Sequence, residues 1–323
     1  MDAEFFSEVL GPSELQRLRE SVQLGEPITA GQLTGQPTHY RDVEFIVGSW
    51  GMPKLSAELL AELPRLRAVF YAAGTIKFIA TEALWDRGIR ITNAALANAR
   101  PAAEFAFAEI VLSLKRAWER IFLMREKRQF VQRDPLVAGC YGATVGLLAL
   151  GKIGRMVAEK LRTLDVNVIA YDPFVSVAEA SSLGVRLCSL AEVFAAAEVV
   201  SCHLPSTPQT QHLLRHEHFA GMKLGATFIN TARGSVVRES DMVAVLKSRP
   251  DLYAVLDVTE HEPPAPDDPL FALPNVVLTP HIAGSVGLEC RRMGRMMVEE
   301  VERYLAGQPL EGEVLREQLE MLA

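Results

Sequence analysis

Short apolar runs mark out the first hundred residues. Residues 44–48 (EFIVG), 67–72 (RAVFYA) and 89–92 (GIRI) are rich in β-branched and aromatic side chains and predict strands. Residues 55–62 and 78–87 between them have helix-like spacing. Strands alternating with helices predict a parallel sheet. From about Ala102 the period changes, and Ala103, Phe107, Ile110, Leu114, Ala117, Ile121 and Met124 recur at intervals of three or four, which predicts one long helix. Phe105, Leu112 and Trp118 lie off that stripe, so a second apolar face is expected, suited to an interface between subunits. After a polar break at residues 132–135, a second series of strands is predicted at 144–150, 166–171, 198–204, 226–230, 253–258 and 276–279. Helical patterns fall at 152–163, 189–197 and 238–248, and a final amphipathic helix is predicted over Leu288–Leu305. Strand–helix repetition of this length is the pattern of a doubly wound sheet.

Composition narrows the classes. The 323 residues carry 33 Lys+Arg against 40 Asp+Glu, a formal net charge of -7. The balance is -3 over residues 1–99, -1 over 100–285 and -3 over 286–323, so no segment offers the basic footprint of a nucleic-acid binder. With 49% hydrophobic residues the chain has enough apolar surface for a packed core. No apolar run approaches the length of a membrane span, and the acidic start MDAEFFSEVL is unlike a signal peptide. Cys140, Cys188, Cys202 and Cys290 are scattered without paired or ligand-like spacing, so neither a disulfide framework nor a metal site is indicated. His212, His216 and His218 cluster, but no Cys or carboxylate pattern completes a metal set around them. A soluble protein of the reducing cytoplasm is expected.

The strand at 144–150 runs into Gly151-Lys152-Ile153-Gly154 and then a helix, the place where a dinucleotide diphosphate meets backbone N–H groups and the positive end of a helix dipole. Ala149 stands where the first glycine of such a fingerprint falls, which is compatible with the turn if its φ stays negative. Asp172 closes the following strand. A carboxylate there accepts hydrogen bonds from ribose hydroxyls and repels a 2′-phosphate, favouring NAD over NADP.

Three further segments put polar residues at strand ends: Asn230-Thr-Ala-Arg233-Gly234, Asp257-Val-Thr-Glu260-His261-Glu262-Pro263 and Thr279-Pro280-His281-Ile-Ala-Gly284. With these motifs, from about Ala72 to Gly284, the sequence resembles the D-isomer-specific 2-hydroxyacid dehydrogenase family. The resemblance implies a catalytic set of Arg233, Glu262 and His281, and the residue types suit it. A planar guanidinium can clamp the carboxylate of a 2-oxo acid bidentately while polarising its ketone. His281 can give a proton to the oxygen at C2 and take it back in oxidation, and Glu262 beside the ring favours the imidazolium and fixes its orientation. The resemblance also implies cofactor contacts from His203, Pro205 and Thr210, from Thr231 and Ala232 beside the nicotinamide, from Asp257 to its carboxamide, and from Gly284.

Departures from the family pattern concentrate on the substrate side. The run Ala72-Ala73-Gly74-Thr75-Ile76-Lys77 keeps the turn, so the amides of Gly74 and Thr75 can bind a substrate carboxylate beside Arg233 and His281, but Ile76-Lys77 replaces the family's acidic pair. Lys77 and Arg100 add positive charge, read first as solvated charges at helix starts and otherwise as charge that would suit a doubly anionic substrate. The expected architecture is α/β with two doubly wound parallel-sheet domains. Residues 1–99 and 286–323 would form a flavodoxin-like substrate domain into which a Rossmann NAD domain, 100–285, is inserted, with the active site in the cleft. The expected activity is hydride transfer between NAD and C2 of a small anionic 2-hydroxy or 2-oxo acid, by a homodimer, with no nucleic-acid or membrane partner. Two alternatives stand beside it: an NAD-responsive, corepressor-like binding protein, and a dehydrogenase of another small anion such as phosphite.

Overall fold

The computed structural model describes residues 1–132 and 135–321. The polar break expected at 132–135 therefore lies partly outside the described residues. Two compact units are present, one of Met1–Ala99 with the segment from Ser285 on, the other of Arg100–Gly284.

In the first unit, β1 (Phe45–Gly48), β2 (Ala68–Tyr71) and β3 (Arg90–Asn93) form a parallel sheet in sequence order. Side chains of β2 alternate between its faces, as pleating demands. Val69 and Tyr71 join Leu55, Leu60, Leu84 and Ile91 on one face. Ala68 and Phe70 join Val9, Leu18, Met293, Met297 and Val301 on the other. The last three come from the amphipathic helix Cys290–Leu305, so the chain end completes this unit. Beyond that helix the chain pairs with the free edge of β3, through Asn93 N–H to Gly312 O at 2.8 Å and Val314 N–H to Ile91 O at 2.9 Å. The buried Glu300 carboxylate accepts the amides of Glu311 and Gly312, fixing that return.

Among the described residues the second unit holds seven parallel strands: β4 (Tyr141–Leu148), β5 (Asp165–Tyr171), β6 (Val185–Leu187), β7 (Val199–Cys202), β8 (Thr227–Asn230), β9 (Tyr253–Leu256) and β10 (Val276–Leu278). Their order is β10-β9-β8-β7-β4-β5-β6, so the direction of winding reverses between β4 and β7. Open α/β sheets bind ligands beyond the carboxyl ends of their strands at such a reversal. Phe194, Phe219 and Phe228 pack mutually on one face, with ring centroids 5.2–6.1 Å apart. Val145, Leu147, Ile229 and Val255 meet Ala103, Ala106, Ile110 and Leu114 on the other.

Two expectations change. Sequence patterning misses β6, an edge strand of three residues whose middle member, Arg186, is exposed; so short a run carries no readable alternation. The single helix expected through Met124 is two, Ala95–Leu114 and Ala117–Lys127. Arg116 between them adopts a left-handed conformation, φ 48°. Its guanidinium is buried against Glu119 at 2.5 Å and reaches Asp251 O at 3.4 Å. Apolar spacing continued across the break although the second helix buries none of its residues, Ile121 and Met124 being exposed.

Candidate active site

The turn after β4 is closed on itself. A Cβ at Gly154 would sit 2.1 Å from the Ala149 carbonyl oxygen, so only glycine fits there, whereas nothing lies within 4 Å of a Cβ at Gly151. Ala149 takes φ +76°, correcting the expectation of a negative φ. A left-handed alanine costs about 1–2 kcal/mol. The next residue, Leu150, is braced through both of its backbone polar groups. Leu150 N–H donates to Asp172 Oδ2 at 2.7 Å, and Arg155 Nε donates to Leu150 O at 2.8 Å. Contacts that over-determine a strained residue are what let it persist.

Helix Lys152–Leu161 follows with Gly151 at its N-cap and no side-chain cap, leaving the first-turn amides, among them Lys152 and Ile153, without intrahelical partners. Asp172 also accepts the amides of Phe174 and Val175 through Oδ1. It is thus a turn anchor as well as a carboxylate at the end of β5.

At the end of β7, His203 Nε2 lies 3.2 Å from Ser201 Oγ, while Nδ1 is closed off from solvent without a partner among the described residues. Burial pushes the His203 imidazole down to about 4. Thr231 Oγ1, after β8, is likewise buried and unpartnered among the described residues. Two orphaned polar atoms at adjacent strand ends, beside a glycine turn with open space above it, fit a polar dinucleotide. Thr210 is occupied within its own loop, donating to Pro205 O at 2.6 Å and accepting from Thr207 N–H at 2.9 Å. Ala232 is buried, and its amide donates to Asn230 Oδ1.

Arg233, Glu262 and His281 lie in one unit. His281 Nδ1 is 2.7 Å from Glu262 Oε2, and both side chains are about half exposed. Thr259 N–H donates to the other Glu262 oxygen at 3.3 Å. Arg233 is largely buried, which lowers its pKa, while the charge of Glu262 opposes that shift. Its Nη1 donates to Ala232 O at 2.6 Å. Asn230 shapes this loop from both ends, since its Nδ2 also donates to Arg233 O; the Asn-x-x-Arg spacing carried that signal as a side-chain-capped turn, which sequence reading passed over.

His281 itself is left-handed, φ 54°. Asp257 explains how that conformation holds. Its carboxylate, 2% exposed, accepts from Thr279 Oγ1 at 2.6 Å and from the amides of Ile282 and Ala283, both at 2.8 Å. Gly284 ends the same loop. Gly74 and Thr75 belong to the first unit, where a Cβ at Gly74 would lie 3.4 Å from Asn98 Nδ2. Asn98 Oδ1 in turn accepts Ser285 N–H.

Residues 108–283 match the family model described as D-isomer specific 2-hydroxyacid dehydrogenase, NAD binding domain. The chain belongs to the D-isomer specific 2-hydroxyacid dehydrogenases. Its nucleotide is NAD. The glyoxylate reductase of Korarchaeum cryptofilum is 33% identical over 258 residues, covering 79% of this chain and 77% of that protein. The D-3-phosphoglycerate dehydrogenase of Archaeoglobus fulgidus is 33% identical over 261 residues, 81% of this chain and 49% of that one. The chain therefore spans about half the length of the D-3-phosphoglycerate dehydrogenases that it matches. Among solved structures, the TT0316 protein from Thermus thermophilus aligns with a TM-score of 0.77 at 29% identity, covering 95% of this chain and 97% of that one. A glyoxylate reductase from Paecilomyes thermophila aligns with 0.79 at 25%, covering 96% of each. Among the described residues no helix is long and apolar enough to cross a membrane.

Proposed function

We propose that this member of the family interconverts a small D-2-hydroxy acid and its 2-oxo acid. The observation that carries the reading is the His281–Glu262 pair at 2.7 Å beside the desolvated Arg233. Bound NAD supplies the hydride acceptor in oxidation and, reduced, the hydride donor in reduction. Arg233 binds the substrate carboxylate and polarises the ketone oxygen; burial strengthens such a contact because water competes less. His281 exchanges a proton with the C2 oxygen through Nε2, the nitrogen that Glu262 leaves free, and Glu262 holds the ring from Nδ1. The amides of Gly74 and Thr75 are a second seat for the carboxylate.

For the nucleotide, Gly151, Lys152, Ile153 and Gly154 offer the diphosphate amides and space. Asp172 faces the ribose hydroxyls, His203, Pro205, Thr210 and Thr231 border the chain of phosphates and ribose, and Ala232, Asp257 and Gly284 border the nicotinamide. Ile121, Phe122 and Met124 on helix Ala117–Lys127, with Phe130 and Tyr141, are exposed apolar residues, and we assign that face to a second copy. Sedimentation analysis tests the dimer. Free thiols at all four cysteines suit a reducing cytoplasm.

The test of the activity is NADH consumption with glyoxylate, pyruvate, hydroxypyruvate, phosphohydroxypyruvate and longer 2-oxo acids. Turnover that His281→Ala abolishes is the expected result. No turnover on the panel, with NADH bound, refutes it and favours the NAD-responsive binding protein or a dehydrogenase of another anion.

A further inference from the structure

Loops at the carboxyl ends of β7, β8 and β9 meet in a triangle. The β7 and β8 loops are joined by His212 N–H to Ser235 O at 2.9 Å and by the Ser206 and Ser235 hydroxyls at 2.9 Å. Those of β8 and β9 touch by backbone, since a Cβ at Gly234 would lie 1.9 Å from Thr259 O, and the Glu260 amide donates to Glu239 Oε2 at 2.9 Å. The third side is closed by a side-chain contact, His212 Nε2 to Glu260 Oε1 at 2.5 Å. Both side chains are mostly buried, 29% and 24% exposed. His212 reaches Glu260 from a left-handed backbone, φ 48°, a conformation that few non-glycine residues adopt and in which asparagine, aspartate and histidine are enriched. Arg215 Nε donates to the His212 carbonyl, which fixes the backbone that carries the ring, and Gln211 Nε2 lies 3.4 Å from His212 Nε2.

Glu260 stands two residues before Glu262, whose Oε2 holds His281. Thr259 binds both ends of that short stretch, its amide to Glu262 Oε1 and its hydroxyl to His261 O. The segment 259–262 is therefore stiff internally, and what fixes it to the rest of the unit at Glu260 is His212 and Glu239. We infer that the His212–Glu260 pair is a positioning device that keeps Glu262 in register with His281. The inference rests on the proposed proton-transfer role of those two residues. Neither His212 nor Glu260 touches the reacting atoms in this account; the pair acts through the segment that carries Glu262. Loss of the third side leaves the β9 loop hinged on Glu239 and the Gly234 contact. A shift of about 1 Å at a catalytic group is enough to cost up to a hundredfold in rate.

His212→Asn tests this, because asparagine tolerates the left-handed backbone and is too short to span to Glu260. With the best 2-oxo acid of the panel, kcat should fall about tenfold while NADH affinity, read by its fluorescence on binding, stays within twofold. Glu260→Gln, which keeps an acceptor for Nε2–H, should remain within threefold of wild type. In a Glu262→Gln background His212→Asn should cost nothing further, because the two changes act on one link. Hydrogen exchange of the peptide spanning 257–263 should quicken in His212→Asn alone, a readout that needs no turnover. Unchanged kcat, an equal loss in both backgrounds, NADH affinity falling in step with kcat, or unchanged exchange would each overturn the inference. Wild-type protein without turnover, or Glu262→Gln with full turnover, would instead overturn the proposed catalysis, and the exchange experiment still decides whether the pair holds the loop.

Discussion

The tightest demand in the nucleotide turn is at Gly154, and Gly154→Ala exposes it. The added methyl would lie 2.1 Å from Ala149 O, whereas ordinary contact begins near 3.4 Å, so one side must retreat by roughly 1.3 Å. If helix Lys152–Leu161 retreats, Arg155 leaves Leu150 O. If the turn retreats, Leu150 N–H leaves Asp172. Overpacking costs about 1–3 kcal/mol and one hydrogen bond to a charged group about 1.5–3. About 3 kcal/mol in total is expected, which for a unit of this size lowers Tm by about 6–12 °C. Calorimetry gives the shift, and titration with NADH should show affinity lost at least tenfold, because the first-turn amides move with the helix. Tm within about 2 °C of wild type and unaltered NADH binding would refute the close approach at this turn.

Other consequences can be checked in parallel. His203 titrates at about 4 in the folded protein against 6.5 unfolded, so between those values the unfolded chain binds more protons and stability falls as pH falls. The loss amounts to about 3 kcal/mol between pH 6.5 and 4; urea denaturation across that range should show it, and His203→Asn should flatten it. Asp172→Ala removes both a turn anchor and the carboxylate facing the ribose, so NADH should bind more weakly and discrimination against NADPH should narrow, measured by titration with each. Asp257→Ala strands the buried Ala283 amide, at about 1–3 kcal/mol, and frees the part-buried Ile282 amide; thermal unfolding should register it, with turnover falling more than NADH affinity as His281 loses its conformation.

The sequence by itself determined the parallel α/β class, through apolar runs alternating with helical stripes, and the family, through polar motifs at fixed distances from those runs. Both signals are local in the chain. Arg233, Glu262 and His281 were legible because each follows a strand, and strand ends are where this architecture collects its chemistry. What tertiary structure alone decided is conformation and partnership. Ala149 was expected to keep a negative φ; it is left-handed, with the following residue, Leu150, held between Asp172 and Arg155. The stripe running through Leu114 and Ala117 hid the break at Arg116, whose side chain there reaches Asp251 O, 135 residues away. His212 looked like one of three clustered histidines, and its partner Glu260, 48 residues on, is brought to it only because β7 and β9 flank β8 in the sheet. Patterning reports which side chains seek the core. Which polar atoms then meet across the loops depends on register and backbone angles, and those are set by the packed sheet as a whole.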